Sequence, residues 1–173
     1  IRKTKNLSEL YELSSVLMEK NKVFNANPNS SDLKYLANAE ILKEVYKINK
    51  NINSFISCVN NGSHIIGLKS ALKNSHKLYA VYSKSKLATS INAFSKYEQK
   101  NLINKFDIEK EFFEAKHKDI LYGYKLLALE GLTCEPSSAA VVGMLRKIKN
   151  NNVCCIISGS IHKNLILLQN ILK

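Results

Sequence analysis

SFISCVNNGSHIIGLKSALKNSHKLYAVY, residues 54–82, carries the pattern that decides the fold. Ser54 to Val59 is a short apolar run of the length and composition of a buried strand. A polar turn, Asn60-Asn61-Gly62-Ser63-His64, follows at once. Ile65 to Leu72 then has helical spacing, and Leu78 to Tyr82 is a second strand rich in β-favouring residues. Strand, helix and strand within about thirty residues form a βαβ unit whose crossover should be right-handed. The expected class is α/β, an open and mostly parallel sheet with flanking helices.

Working outward, Ser8 to Asn21 reads as a helix with Leu10, Leu13, Val16 and Leu17 on one face. Val23-Phe24 is a short extended piece, and Asn25 to Ser30 is a loop on turn chemistry. Ser30 or Ser31 can cap a second helix bearing Leu33, Leu36, Ala37, Ile41, Val45 and Ile48. After the βαβ unit, Ser83 to Phe94 should hold a short helix and Lys96 to Lys105 an exposed stretch. Asp107 to Leu129 is helical in pattern, with a break near Lys118-Asp119 or Gly123. GLTCEPSSAAVVGML, residues 131–145, reads as a strand at Leu132–Cys134, a Glu135-Pro136 break, and a helix with almost no side-chain bulk on one face. Such a helix can lie very close to whatever it covers. Val153 to Ile157 is a strand ending on Ser158-Gly159-Ser160, and a last helix carries Leu165, Leu168, Ile171 and Leu172.

Composition narrows the function. The 173 residues suit a single α/β unit or a large piece of a bigger enzyme, and the chain begins with Ile1, so more sequence is expected before it. No apolar run is long enough for a membrane span and no signal peptide is visible. The net charge of +12 invites nucleic acid as a partner. Its lysines are spread evenly and accompany no nucleic-acid motif, so a solvated basic surface is the better account. Cys58, Cys134, Cys154 and Cys155 show no C-x-x-C spacing, and His64, His76, His117 and His162 are scattered, which argues against a metal. Cysteines within apolar runs fit small buried side chains in a reducing, cytoplasmic setting.

Two strand ends carry small polar residues: Val59 before Asn60, and Ile157 before Ser158. In open α/β sheets ligands gather beyond the carboxyl ends of parallel strands. The first of these ends also opens a helix, whose free amides and dipole suit a phosphate.

In order, these pieces resemble the carboxyl-terminal, large-domain half of the fold-type-II pyridoxal-phosphate enzymes, and among them the threonine synthases. FISCVNNGSHIIGLKSALK resembles that family's strand and phosphate-gripping loop, and KLYAVYSKS the strand after it. Glu130, Gly131, Glu135, Pro136, Ser137, Ser138, Ala139 and Ala140 resemble its E-G-x-x-x-E-P-x-S-A-A stretch. VCCIISGSIHK, through Lys163, resembles its closing strand, and Asn25-Ala26-Asn27-Pro28 its N-x-N-P segment. The resemblance implies pyridoxal phosphate as cofactor, with Asn60, Asn61, Gly62, Ser63 and His64 at the phosphate and the Ser158 hydroxyl at the pyridine nitrogen. The implied reaction converts O-phosphohomoserine and water to threonine and phosphate. The family's Schiff-base lysine belongs to an amino-terminal portion absent here, so this chain alone should be inactive. A small amino-acid substrate and a homodimer are the partners that fit. A serine/threonine dehydratase-like enzyme and a non-catalytic relative are the alternatives.

Overall fold

The computed structural model describes residues 7–22, 32–91, 111–150 and 152–160. Its helices are α1 (Leu7–Asn21), α2 (Asp32–Ile48), α3 (Ser63–Ser70), α4 (His117–Leu129) and α5 (Pro136–Gly143). Its strands are β1 (Ser54–Cys58), β2 (Lys77–Tyr82), β3 (Phe112–Glu114) and β4 (Val153–Cys155). They form one parallel sheet in the order β3-β2-β1-β4. β1 is central, with Phe55 opposite Leu78 on one side and Cys154 on the other. A strand buried on both faces shows no polar–apolar alternation, and SFISC buries Ser54 and Ser57 along with Phe55 and Ile56.

The side-chain period of two still sorts the sheet into two cores. Ile56, Val81, Phe113 and Cys155 face α4 and α5 and meet Ile120, Leu127, Ala140 and Met144. Phe55, Leu78, Ala80 and Cys154 face α2 and α3 and meet Leu42, Ile65 and Leu68. Glycine sets the helix spacing in each layer. A Cβ on Gly67 of α3 would strike Asn38 and the Tyr35 carbonyl of α2. One on Gly123 of α4 would strike the Ala139 carbonyl and the Gly143 amide of α5, and one on Gly143 the Asp119 carbonyl. The low-bulk face of residues 137–143 thus lies against another helix as well as the sheet.

The structure corrects several expectations. Leu132–Cys134 is no strand: Gly131 turns left-handed at φ 69°, Leu132 N–H bonds the Leu127 carbonyl (2.9 Å), and Gly131 N–H bonds that of Ala128 (3.1 Å). These two bonds are a Schellman ending to α4, so helix termination claims the amides a strand would need. The helical pattern expected from Asp107 hides β3, whose aromatic pair lies on an edge, Phe113 stacking on Tyr79 with ring centroids 5.6 Å apart. α4 starts only at His117, its N-terminus closed by Asp119, whose carboxylate accepts from Lys116 N–H (2.8 Å). β4 stops at Cys155 rather than Ile157, and between Ser83 and Ile91 only a 3-10 turn forms, Thr89–Ile91.

α2 buries Ala39 and Leu42, while Leu33 and Leu36 are each 61% exposed; its contact with α3 at Tyr35 and Asn38 sets that rotation. Val16 and Leu17 of α1 are exposed as well. Val23-Phe24, the 25–30 loop, the Ser30 or Ser31 cap, the 96–105 stretch, Lys163 and the last helix lie outside the described residues.

The α4–α5 contact makes a prediction whose sign opposes helix propensity. Exchanging glycine for alanine within a helix ordinarily gains about 1 kcal/mol. At Gly123 the new methyl meets backbone that cannot swing away, so overpacking of roughly 1–3 kcal/mol wins. Gly123→Ala should lower the urea midpoint of the whole chain; an unchanged or raised midpoint would disprove the backbone contact.

Candidate functional site

Because β1, β2 and β4 run parallel, the turns after β1 and after β4 open on the same edge of the sheet. The first turn is built around Gly62, which caps α3 in the left-handed region at φ 90°. Only glycine takes that conformation without strain, so the single glycine of the loop stands where it is required. Asn60 and Ser63 do not have positive φ. Asn61 Oδ1 accepts from both Ser63 N–H (3.2 Å) and Ser63 Oγ–H (3.0 Å), an Asx turn that holds the loop's shape. The first bond within α3 runs from Ile66 N–H to the Gly62 carbonyl (2.9 Å). The His64 and Ile65 amides therefore have no acceptor inside the helix, the arrangement that suits an anion.

The His64 ring does something else. One of its nitrogens, Nε2, meets Ser57 Oγ (2.9 Å) and the other, Nδ1, meets Asn38 Oδ1 (2.8 Å). Since Asn38 Oδ1 can only accept, Nδ1 carries the hydrogen and Nε2 accepts from the Ser57 hydroxyl. The imidazole is spent on joining α2 and α3 to β1, leaving its backbone amide for a ligand.

Ser158 lies directly beyond β4, exposed, with its hydroxyl in hydrogen-bond contact with the Cys58 thiol. A reciprocal pair ties this turn to the start of α5: Glu135 N–H bonds the Gly159 carbonyl (3.1 Å) and Gly159 N–H bonds Ser138 Oγ (3.1 Å). A Cβ on Gly159 would overlap the Glu135 carboxylate, so the backbone here is bare because a buried acid rests on it. Glu135 Oε2 accepts from Ser90 Oγ–H (3.3 Å). The sequence pattern gives Glu135 only as part of a motif and assigns no site role to Ser90 or Cys58; the Glu-Pro step is the available signal. In the next residues of α5, the buried Ser137 Oγ has no hydrogen-bond partner among the described residues.

No family model and no curated protein matches the chain. Among solved structures, maize serine racemase is similar at 14% identity and TM-score 0.74, over 99% of this chain and 63% of that one. A processed threonine deaminase isoform 2 from Solanum lycopersicum is similar at 17% identity and TM-score 0.72, over 99% and 56%. A pyridoxal 5'-phosphate-dependent aspartate racemase is similar at 14% identity and TM-score 0.66, over 93% and 59%. The shared property is the fold. The chain spans 56–63% of the length of these structures, and none of the three is a threonine synthase.

Electrostatics remove one competing chemistry. Burial pushes the Cys58 thiol up; the Ser158 bond opposes this and the Glu135 charge adds to it. Burial and then Glu135 push Cys134 up to about 11, burial and then Cys154 push Cys155 up to about 12, and burial raises Cys154. All four stay thiols at neutral pH and are poor nucleophiles. Tyr124 is also raised, chiefly by burial, and donates to the Cys134 carbonyl (2.6 Å).

Burial lowers the His64 pKa below the ordinary 6.5. Between the folded value and 6.5 the unfolded chain binds the extra proton, so this term of stability is whole above 6.5 and is lost as pH falls through that window. Wild type should therefore lose stability faster than His64→Gln as pH drops from about 7.5 to about 5 in denaturant titrations. Parallel curves for the two proteins would show that the ring is not held neutral by its partners.

Proposed function

We propose that this chain is the coenzyme-anchoring part of a pyridoxal-phosphate enzyme of fold type II, of the threonine synthase kind. The single observation that carries the reading is one sheet edge that holds both a phosphate-shaped turn and a neutral hydroxyl. The Gly62 turn supplies unspent amides at an α-helix N-terminus, and Ser158 lies past the neighbouring parallel strand. The residues fit the coenzyme on two further counts. Gly62 already holds the left-handed geometry such a loop needs, and Ser137 keeps a buried hydroxyl unspent beside the Glu135–Gly159 knot.

In this reading the His64 and Ile65 amides and the α3 dipole would hold the phosphate. Asn61 keeps the loop closed around it without a cation. Ser158 would meet the ring nitrogen through an uncharged oxygen, which would leave that nitrogen largely unprotonated and make the ring a moderate electron sink. The bound coenzyme would supply carbanion stabilisation at the substrate's α-carbon. The Gly159–Ser138 and Glu135–Gly159 bonds hold the turn that carries Ser158. The lysine that moves protons would come from outside this chain, which alone binds without turnover.

The preference for O-phosphohomoserine over threonine or serine rests on Glu130, Gly131 and Glu135 to Ala140 matching the synthase pattern. A serine/threonine dehydratase is the second reading, favoured by the structural likeness to a threonine deaminase. Phosphate release from O-phosphohomoserine by the complete protein supports the first; ketoacid from threonine or serine replaces it with the second.

Two variants test the site itself. Gly62→Val forces a β-branched residue into φ 90°, and coenzyme retention on gel filtration should fall roughly tenfold or more. Ser158→Asp puts a carboxylate at the ring nitrogen and should remove at least about nine-tenths of turnover in the complete protein while retaining coenzyme. Full activity in Ser158→Asp would take Ser158 out of the site.

A further inference from the structure

Away from the sheet edge, Lys116, Lys118, Asp119, Arg146 and Lys147 line an open depression of about 450 Å³. It lies between the start of α4 and the 3-10 turn Leu145–Lys147 that follows α5. None of these residues belongs to the site described above.

The charges are arranged unevenly. Asp119, the one acid, is already used: its side chain is 2% exposed, Oδ2 accepts from Lys116 N–H, and Oδ1 accepts from the Arg146 guanidinium. The guanidinium is held from a second side, its carbon 5.4 Å from the centre of the Tyr122 ring. Arg146 is thus a pre-oriented planar donor with N–H groups to spare, already paid the ordering entropy that a free arginine would lose on binding. Its charge is balanced by Asp119, which leaves Lys116, Lys118 and Lys147 as three ammonium groups around one concavity. None of the three forms an ion pair among the described residues.

Evenly scattered surface lysines would repel one another less and would have no fixed arginine at their centre. A concavity of this size accepts a small molecule, and its lining of charged side chains selects a strongly anionic one. We propose that this depression binds a small polyanion of the phosphate class, carrying two or more phosphoryl charges. The inference is independent of the pyridoxal-phosphate reading and stands or falls separately.

Inorganic pyrophosphate is the probe, titrated calorimetrically into the full chain at low ionic strength. Saturable one-site binding is expected. Lys118→Gln with Lys147→Gln, which leaves the Arg146–Asp119 pair and the core untouched, should weaken it about tenfold or more. Lys47→Gln with Lys50→Gln removes the same net charge from exposed positions at the end of α2 and should change it by less than about twofold. Melting without pyrophosphate should be the same for all three proteins, and the Lys118→Gln single variant provides an intermediate affinity. Three results would overturn the proposal: no saturable binding by wild type, equal losses in both double variants, or loss only in Gly62→Val. The last would place the anion at the 60–64 turn and support the coenzyme reading while removing this one.

Discussion

Ser54–Cys58 pairs in parallel with β2 along its length and, through Ser54–Ile56, with β4 on the other side, and nearly everything else follows from that pairing. Parallel pairing puts all carboxyl ends on one edge, so the turns after β1 and β4 face the same solvent. Burial on both faces demands a helix layer on each, α2 and α3 on one and α4 and α5 on the other. Were β4 antiparallel to β1, Ser158 would follow it at the opposite edge of the sheet, and no ligand could span the two turns.

A strand so buried has polar atoms that water cannot reach, and each is answered. Asn150 Nδ2 donates to Asn53 Oδ1 (2.8 Å) and to Ser54 Oγ (2.5 Å), which pins the entry to β4 against the entry to β1. Ser57 is answered by His64, and His64 by Asn38. Leaving such a group unpaired costs about 1–3 kcal/mol, so these bonds select the register and the helix position rather than adding much net stability. The same logic makes Ser137 stand out, because its buried hydroxyl is unanswered among the described residues.

Close backbone approach is the second recurring device. Gly123 with Gly143, and Gly67 with Asn38, let helices touch where a methyl would part them. Gly159 extends this to the site, since its missing side chain is the space in which Glu135 rests. Fold and site are therefore coupled: the α5 helix that packs on α4 at Gly143 begins directly after Glu135, whose side chain rests on the Gly159 backbone. A change in one contact must be felt in the other.

Residues 54–82 alone determined the α/β class, because continuous apolar runs and a glycine-bearing turn leave few other folds open. The sequence also located the two polar turns, since each follows directly on an apolar run. It misread elements decided by partners far along the chain. Phe112–Glu114 is a strand only because β2 presents an edge to it, and Leu132–Cys134 is not one because α4 takes its amides. The rotation of α2, the Glu135–Gly159–Ser138 knot and the neutral His64 relay join residues 21 to 26 positions apart or lie between separate elements. Local periodicity reports what a segment can do by itself. Which of those options is realised depended on burial and hydrogen-bond partners that only the tertiary structure supplies.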